Sequence, residues 1–177
     1  MYIPNTQLKS ELLLQGDIVN DIHILGAVNP NSILITFSQE GRATQWSVNN
    51  PPTKGPAIVL SHSCEIAQEN GMKLTSIILA PLRDINSATR PDKIQELKDS
   101  NYIDENNTSS FLKYFYLEAT HEYGEMFPNG CVADFSKCFS LHKKAYRGLL
   151  NNKIIELTDD VRKYFSIKLA LFYFRNN

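Results

Sequence analysis

The 177-residue sequence predicts a single, mainly β domain with helical additions, an α+β chain built as a small β-barrel or strongly bent sheet. Three observations predict it. Short runs rich in β-branched and aromatic residues recur through the first 80 positions and again at 111–119, bounded by Gly, Pro and Asn. A polar stretch, 83–110, has too few apolar residues for a second core and reads as an insertion lying over the barrel. A period-3.6 apolar pattern then closes the chain as a helix over 159–174.

In chain order, residues 5–16 are expected to form a lead-in helix ending at Gly16. Asp17-Ile18-Val19 opens a strand that continues in broken fashion through Ile22 and Ile24. Asn29-Pro30-Asn31-Ser32 is a turn by its chemistry, Ile33–Phe37 a strand, and Thr44–Val48 an edge strand. A loop over 49–55 delivers the chain into Gly55–Leu82, around which the rest is organised. There Ala57–Leu60 and Ser76–Ala80 read as two buried strands, the second stopping at Pro81. Between them lies Ser61-His62-Ser63-Cys64-Glu65, the densest group of reactive side chains in the chain. Pro91 starts a short helix, and 104–110 is a loop. Phe111–Ala119 is a further strand, and Asn129-Gly130 is a turn. Residues 133–141 are a half-buried strand or strand pair, and Tyr146–Leu150 a short element. Thr158 caps the closing helix, which buries Val161, Tyr164, Phe165, Leu169 and Phe172 on one face.

Hydrophobic content of 42% and charged content of 21% suit a globular domain, and a net charge of −1 gives no global pull toward nucleic acid or anionic membrane. Only a local basic patch could supply one. Three widely spaced cysteines argue against a disulfide framework, and Met1–Asn5 shows no basic and apolar leader, so a cytoplasmic setting is expected. No apolar run approaches the roughly 20 residues of a spanning helix, so no membrane partner is expected. Nor does any motif call for a cofactor.

Cys64 is the first candidate for chemistry, with His62 as base and Glu65 as orienter. If the strand persisted to residue 64, His62 and Cys64 would share a face, too far apart for a direct bond without a bend. If a helix starts at Ser63 instead, Cys64 lies in its first turn, where free N–H groups favour a thiolate, and Gly71 would end that helix. The plain alternative is a small apolar filler beside a core histidine. His142 and Asp134 are reserve choices for base and orienter, and Asp17 is expected to close a turn after Gly16. His62, Cys64, Cys131, Cys138 and His142 offer zinc-ligand types without zinc spacing, so no metal is assigned. Lys137, Lys143, Lys144 and Arg147, with Tyr146 among them and Lys153 following, form the one stretch resembling a phosphate-contacting patch.

Gly16-Asp17-Ile18-Val19, then Pro56-Ala57-Ile58-Val59-Leu60-Ser61, then an apolar strand ending near Ala80-Pro81, resembles the PemK/MazF-like toxins. The late Val132-Ala133-Asp134-Phe135-Ser136-Lys137 and the closing helix match that family's last strand and helix, so the resemblance covers about half the chain. It implies an SH3-like barrel. It does not carry the ribonuclease activity across. Gly55 stands where the family has an arginine before the proline, and Ala80-Pro81 stands where it has a Ser or Thr at the strand end. A second likeness is to uncharacterised bacterial proteins with a Ser-x-x-Cys-Asp/Glu-Ile motif, here Ser61 to Ile66, followed by Phe115-Tyr116-Leu117 and Phe172-Tyr173-Phe174-Arg175.

The expected function is therefore that of a PemK/MazF-like barrel without the usual ribonuclease residues. It would bind RNA or DNA, or a protein, or a second copy of itself through the closing helix. The alternative is a cysteine-centred hydrolase or transferase using Cys64.

Overall fold

A computed structural model describes residues 1–4, 11–24, 33–37, 43–48, 53–66, 75–103 and 111–175. The chain opens with strands β1 (Tyr2–Pro4), β2 (Ile18–Ile24), β3 (Ile33–Phe37), β4 (Ala43–Val48) and β5 (Thr53–Val59). A single helical turn, α1 (Ser63–Ile66), leads to β6 (Ser76–Asp84), then to short helices α2 (Ile85–Ala88) and α3 (Ile94–Asp99). Strands β7 (Tyr114–Leu117), β8 (Cys131–Asp134) and β9 (Phe139–His142) follow. The chain ends with α4 (Tyr146–Asn151), β10 (Lys153–Leu157) and α5 (Asp159–Arg175).

Eight strands make one antiparallel sheet in the order β1-β10-β2-β5-β6-β8-β7, with β9 also beside β6, while β3 and β4 pair separately. The fold is thus α+β and mostly sheet, as the sequence predicts. The sheet is open, and its path ends at β1 and β7 without pairing between them. Side chains bring those two ends together: the Tyr2 hydroxyl donates to the Glu118 carbonyl, just past β7, at 2.8 Å.

Strand β6 is the hub. Residues 79–81 pair with β5, 76–79 with β9 and 82–84 with β8. Pro81 does not stop it, contrary to the sequence reading. Pro81 stands opposite Ala57 at one end of the β5 ladder, where a missing N–H costs little, and the strand then exchanges partners. On the far side, a 3-10 turn at Phe135–Lys137 breaks what would be one long strand into β8 and β9.

Both faces of the sheet are covered, so its strands read as apolar runs more than as alternations. Ile58, Leu60, Ala80, Leu82, Phe115 and Ile155 face one cluster, with Phe165 and Leu169 of α5. Ala57, Val59, Ile77 and Leu79 face the other, with Leu13, Tyr146 and Leu149. Ile22 joins the second cluster together with Val19, although strict alternation from Ile18 would place it in the first. A bulge in the β2–β5 pairing between Val19 and Ile22 causes the switch, with Asp21 left-handed at φ 57°.

Other expectations change in detail. Residues 11–16 form bends and a turn, not the end of a helix; residues 5–10 lie outside the described residues, as do 29–32, 49–52, Gly71 and 104–110. Strand β5 starts at Thr53, inside the expected loop, and β7 is shorter than 111–119, with 111–113 forming a turn. On α5, Phe165 and Leu169 are buried as expected, but Tyr164 is exposed and Lys168 is buried in its place. Strand β10, paired between β1 and β2 near one end of the sheet, is not legible in the sequence, because it carries Lys153 and Glu156.

Candidate functional site

The chain leaves β5 through a strand-to-helix elbow whose residues divide into fasteners and presented groups. Ser61 is a fastener: its Oγ accepts the Ile78 N–H at 2.8 Å, extending the β5–β6 contact past the last ladder pair. Ser63 is another, accepting the Gln15 N–H at 3.0 Å, while the Gln15 side chain donates to the Leu60 carbonyl at 2.7 Å. The His62 carbonyl then accepts the N–H groups of Glu65 and Ile66, which starts α1. Ile66 is buried beneath the turn. The helix at Ser63 supplies the bend that an unbroken strand would have lacked.

His62 and Cys64 are held outward by this frame, and they meet. The His62 Nδ1 lies 2.9 Å from Cys64 Sγ, and it also accepts the Cys64 backbone N–H at 3.4 Å. The contact brings a thiol and an imidazole nitrogen within hydrogen-bond reach of each other. Both side chains are exposed, and so is Glu65. The pair is a thiol with a base in reach.

The reserve residues are committed elsewhere. His142 Nδ1 accepts the Lys144 N–H at 3.2 Å. Asp134 is buried, ion-paired to Arg83 at 2.8 Å, and accepts from both the N–H and the hydroxyl of Ser136. Cys131 is in the core, its thiol pushed up to about 12 by burial, and Cys138 is exposed beside the Tyr173 hydroxyl at 3.8 Å. Among the described residues, no three His, Cys, Asp or Glu side chains converge as metal ligands.

Behind the elbow lies a buried ionic group. Asp17 is fully buried, closes the Leu14–Asp17 turn by accepting the Leu14 N–H at 2.8 Å, and faces Lys153 at 3.4 Å and Arg162 at 3.3 Å. Lys153 also pairs with Glu156 at 2.6 Å, so two acids and two bases are balanced there. Burial pushes the Asp17 carboxyl above its ordinary value, against the opposing pull of Lys153, the Leu14 N–H and Arg162. Arg162 donates to the Gln15 carbonyl, and Ser166 to the Gln15 side chain at 2.8 Å. Through Gln15 this group fixes the position of Ser63, and hence of Cys64.

The basic stretch also divides. Lys153 belongs to the buried group and leaves the patch. Lys143, Lys144 and Arg147 are exposed on the consecutive turns between β9 and α4. Lys137 is exposed at the other end of β9, which at ~3.3 Å per residue is roughly 13 Å long. None of these four makes an ion pair among the described residues. Tyr146 is buried, with its hydroxyl accepting the Leu13 N–H at 3.3 Å, so it offers no stacking surface. No helix among the described residues is long and apolar enough to cross a membrane.

Comparison with protein-family models and with curated proteins finds no match for this chain.

Proposed function

We propose that the chain is a PemK/MazF-like barrel protein that has lost the ribonuclease groups and binds single-stranded nucleic acid at the turn between β9 and α4. The observation that carries this reading is the set of exposed cations, Lys143, Lys144 and Arg147, without carboxylate partners among the described residues in a chain of net charge −1. The Tyr2–Glu118 bridge between the sheet's two ends supports the barrel, and the broken β8–β9 strand supports a tight bend. The loss of cleavage chemistry is supported by Gly55 and Ala80. Both are buried: Ala80 is in the core, and a Cβ on Gly55 would already touch Ile24 at 3.4 Å.

Three phosphate contacts on a single strand give a slope of about −2 in log K against log salt. Anisotropy titrations with a labelled single-stranded RNA and its DNA counterpart should show that slope, and a K143A/K144A/R147A variant should flatten it. Specific RNA cleavage that is abolished by Lys143→Ala or Arg147→Ala would contradict the non-catalytic reading. Absence of strand binding would shift the proposal to a protein or self-association surface on α5, where Tyr164, Ile167, Tyr173 and Phe174 are exposed. Light scattering of wild type and Phe174→Ser would show that as a mass that falls in the variant.

A second reading has its own observation, the 2.9 Å contact between His62 and Cys64 in an exposed elbow. It is a cysteine-centred hydrolase or transferase with Cys64 as nucleophile and His62 as base.

A further inference from the structure

We propose that the cleft between β2, β9 and α4 is a subsite for one unstacked nucleobase of a strand whose phosphates lie on Lys143, Lys144 and Arg147. This rests on the nucleic-acid reading above and names what the strand does with a base. The cleft encloses about 250 Å³ and is floored by Ile22, Leu141 and Leu149. That is below the ~300–1,000 Å³ of pockets for drug-sized ligands, and it suits one flat ring system better than a folded peptide segment. An apolar floor receives the face of any base, because every base has a π-face and a poorly hydrated edge of ring carbons.

Polar groups stand at the rim. Asp21, His23 and Asn152 also line the cleft, residues that carry a carboxylate, an imidazole and an amide. The bulge puts them there. It holds Asp21 at φ 57°, and the Asn20 N–H donates to the Asn152 carbonyl at 2.9 Å, so β2 is tied to the end of α4 across the cleft. Bulges of this kind re-aim side chains beside functional sites. Lys54 lies 2.8 Å from the Asp21 carboxylate and offsets its repulsion of a nearby phosphate.

The cations and the lining alternate along one stretch of chain: Lys143 and Lys144 precede the lining residue Ala145, and Arg147 precedes Gly148. The cations and the cleft wall thus belong to the same two turns of chain. Three cations exceed what one phosphate monoester needs, which favours a strand over a free nucleotide. Gly148 leaves the wall open, since a Cβ built there meets nothing within 4 Å.

That opening supplies the test. Gly148→Leu places a side chain in the cleft without a clash at Cβ and improves the helix former, so its melting temperature should equal or exceed that of wild type. Anisotropy with a single-stranded RNA decamer, its DNA counterpart and an abasic decamer separates base from phosphate contacts. Wild type should bind the intact strand roughly tenfold more tightly than the abasic one, from the ~1–3 kcal/mol typical of a bound base. Gly148→Leu should bring the intact strand down to the abasic level and leave the salt slope unchanged. Equal wild-type affinity for intact and abasic strands would overturn the subsite without recourse to any variant. So would Gly148→Leu binding the intact strand as wild type does. In either case a preserved salt slope would leave the basic-edge reading standing, whereas no binding of any strand would overturn both. Free nucleoside monophosphates binding as tightly as the decamer would assign the cleft to a nucleotide instead.

Discussion

The amine of Lys168 donates both to the carbonyl oxygen of Ser100, at 2.8 Å, and to its hydroxyl oxygen, at 2.7 Å, and it meets no carboxylate among the described residues. Two donors find two acceptors, and the third direction faces the Phe115 ring, with its centroid 6.0 Å from Nζ. The Ser100 hydroxyl passes its own proton to the Leu97 carbonyl at 2.6 Å, so its oxygen is free to accept. The contact joins the middle of α5 to the end of α3.

Burial lowers the Lys168 pKa to about 7, against an unfolded value near 10.4. The sign follows from proton counts. Between these values the unfolded chain binds a proton at this site that the folded chain does not, so this contribution to stability rises with pH. It is fully present above about 10 and lost as pH falls to about 7. The slope approaches about 1.4 kcal/mol per pH unit within that window. Urea melts of wild type and Lys168→Met at pH 7, 8 and 9 should show wild type gaining on the variant as pH rises. Parallel curves would mean that the amine is not buried as described.

Asp17, fully buried, holds the buried Lys153 and the partly buried Arg162. Asp17→Leu leaves both cations facing an apolar group, which in buried pairs costs about 3–5 kcal/mol. The lower end is expected, because Lys153 keeps Glu156 at 2.6 Å and Arg162 keeps the Leu157 carbonyl at 3.2 Å. Chemical denaturation measures this directly. A loss under about 1 kcal/mol would show that the acid does not anchor the group.

Gly130 sits at φ 89°, and a Cβ there would lie 2.7 Å from the Leu117 carbonyl oxygen. The Asn129-Gly130 turn therefore requires glycine on two counts, conformation and space. Gly130→Ala should cost more than the roughly 1–2 kcal/mol of the left-handed conformation alone, since the β7–β8 pair must also shift. The measurement is again the unfolding midpoint. A neutral outcome would argue against the tight β7–β8 junction.

What the sequence concealed follows from one physical cause in each case. Ala57–Leu60 was legible because both of its faces are buried and its residues are uniformly apolar, and Ser76–Ala80 because Ile77–Ala80 is an apolar run, although Ile78 is exposed. Strand β10 was not, because Lys153 and Glu156 are buried by pairing with each other and with Asp17, a relationship spanning 136 positions that no local pattern carries. The same holds for Lys168, whose partner Ser100 is 68 residues away, so Tyr164 was read as buried in its place. The rim residues Asp21 and His23 are set by a bulge, which shifts the period of two that strand reading depends on. The elbow was half legible: Cys64 and His62 are the presented pair as expected, while Ser61 and Ser63 are the fasteners that make them so.

The last prediction concerns that pair. Cys138, also exposed, is an internal reference within the same chain, and Cys131 is buried, so a mass-resolved alkylation reads Cys64 against Cys138. The His62 imidazole, in hydrogen-bond reach of the Cys64 thiol at 2.9 Å, is placed to take its proton as the sulfur attacks. Cys64 should therefore alkylate faster than Cys138 at neutral pH, and His62→Ala should remove the advantage. Gln15→Ala should reduce it in part, because loss of the Leu60 and Ser166 bonds loosens the Ser63 fastener while leaving the imidazole intact. Equal rates at the two cysteines, or a Cys64 rate indifferent to His62→Ala, would remove the chemical reading of the elbow and leave it as a structural turn.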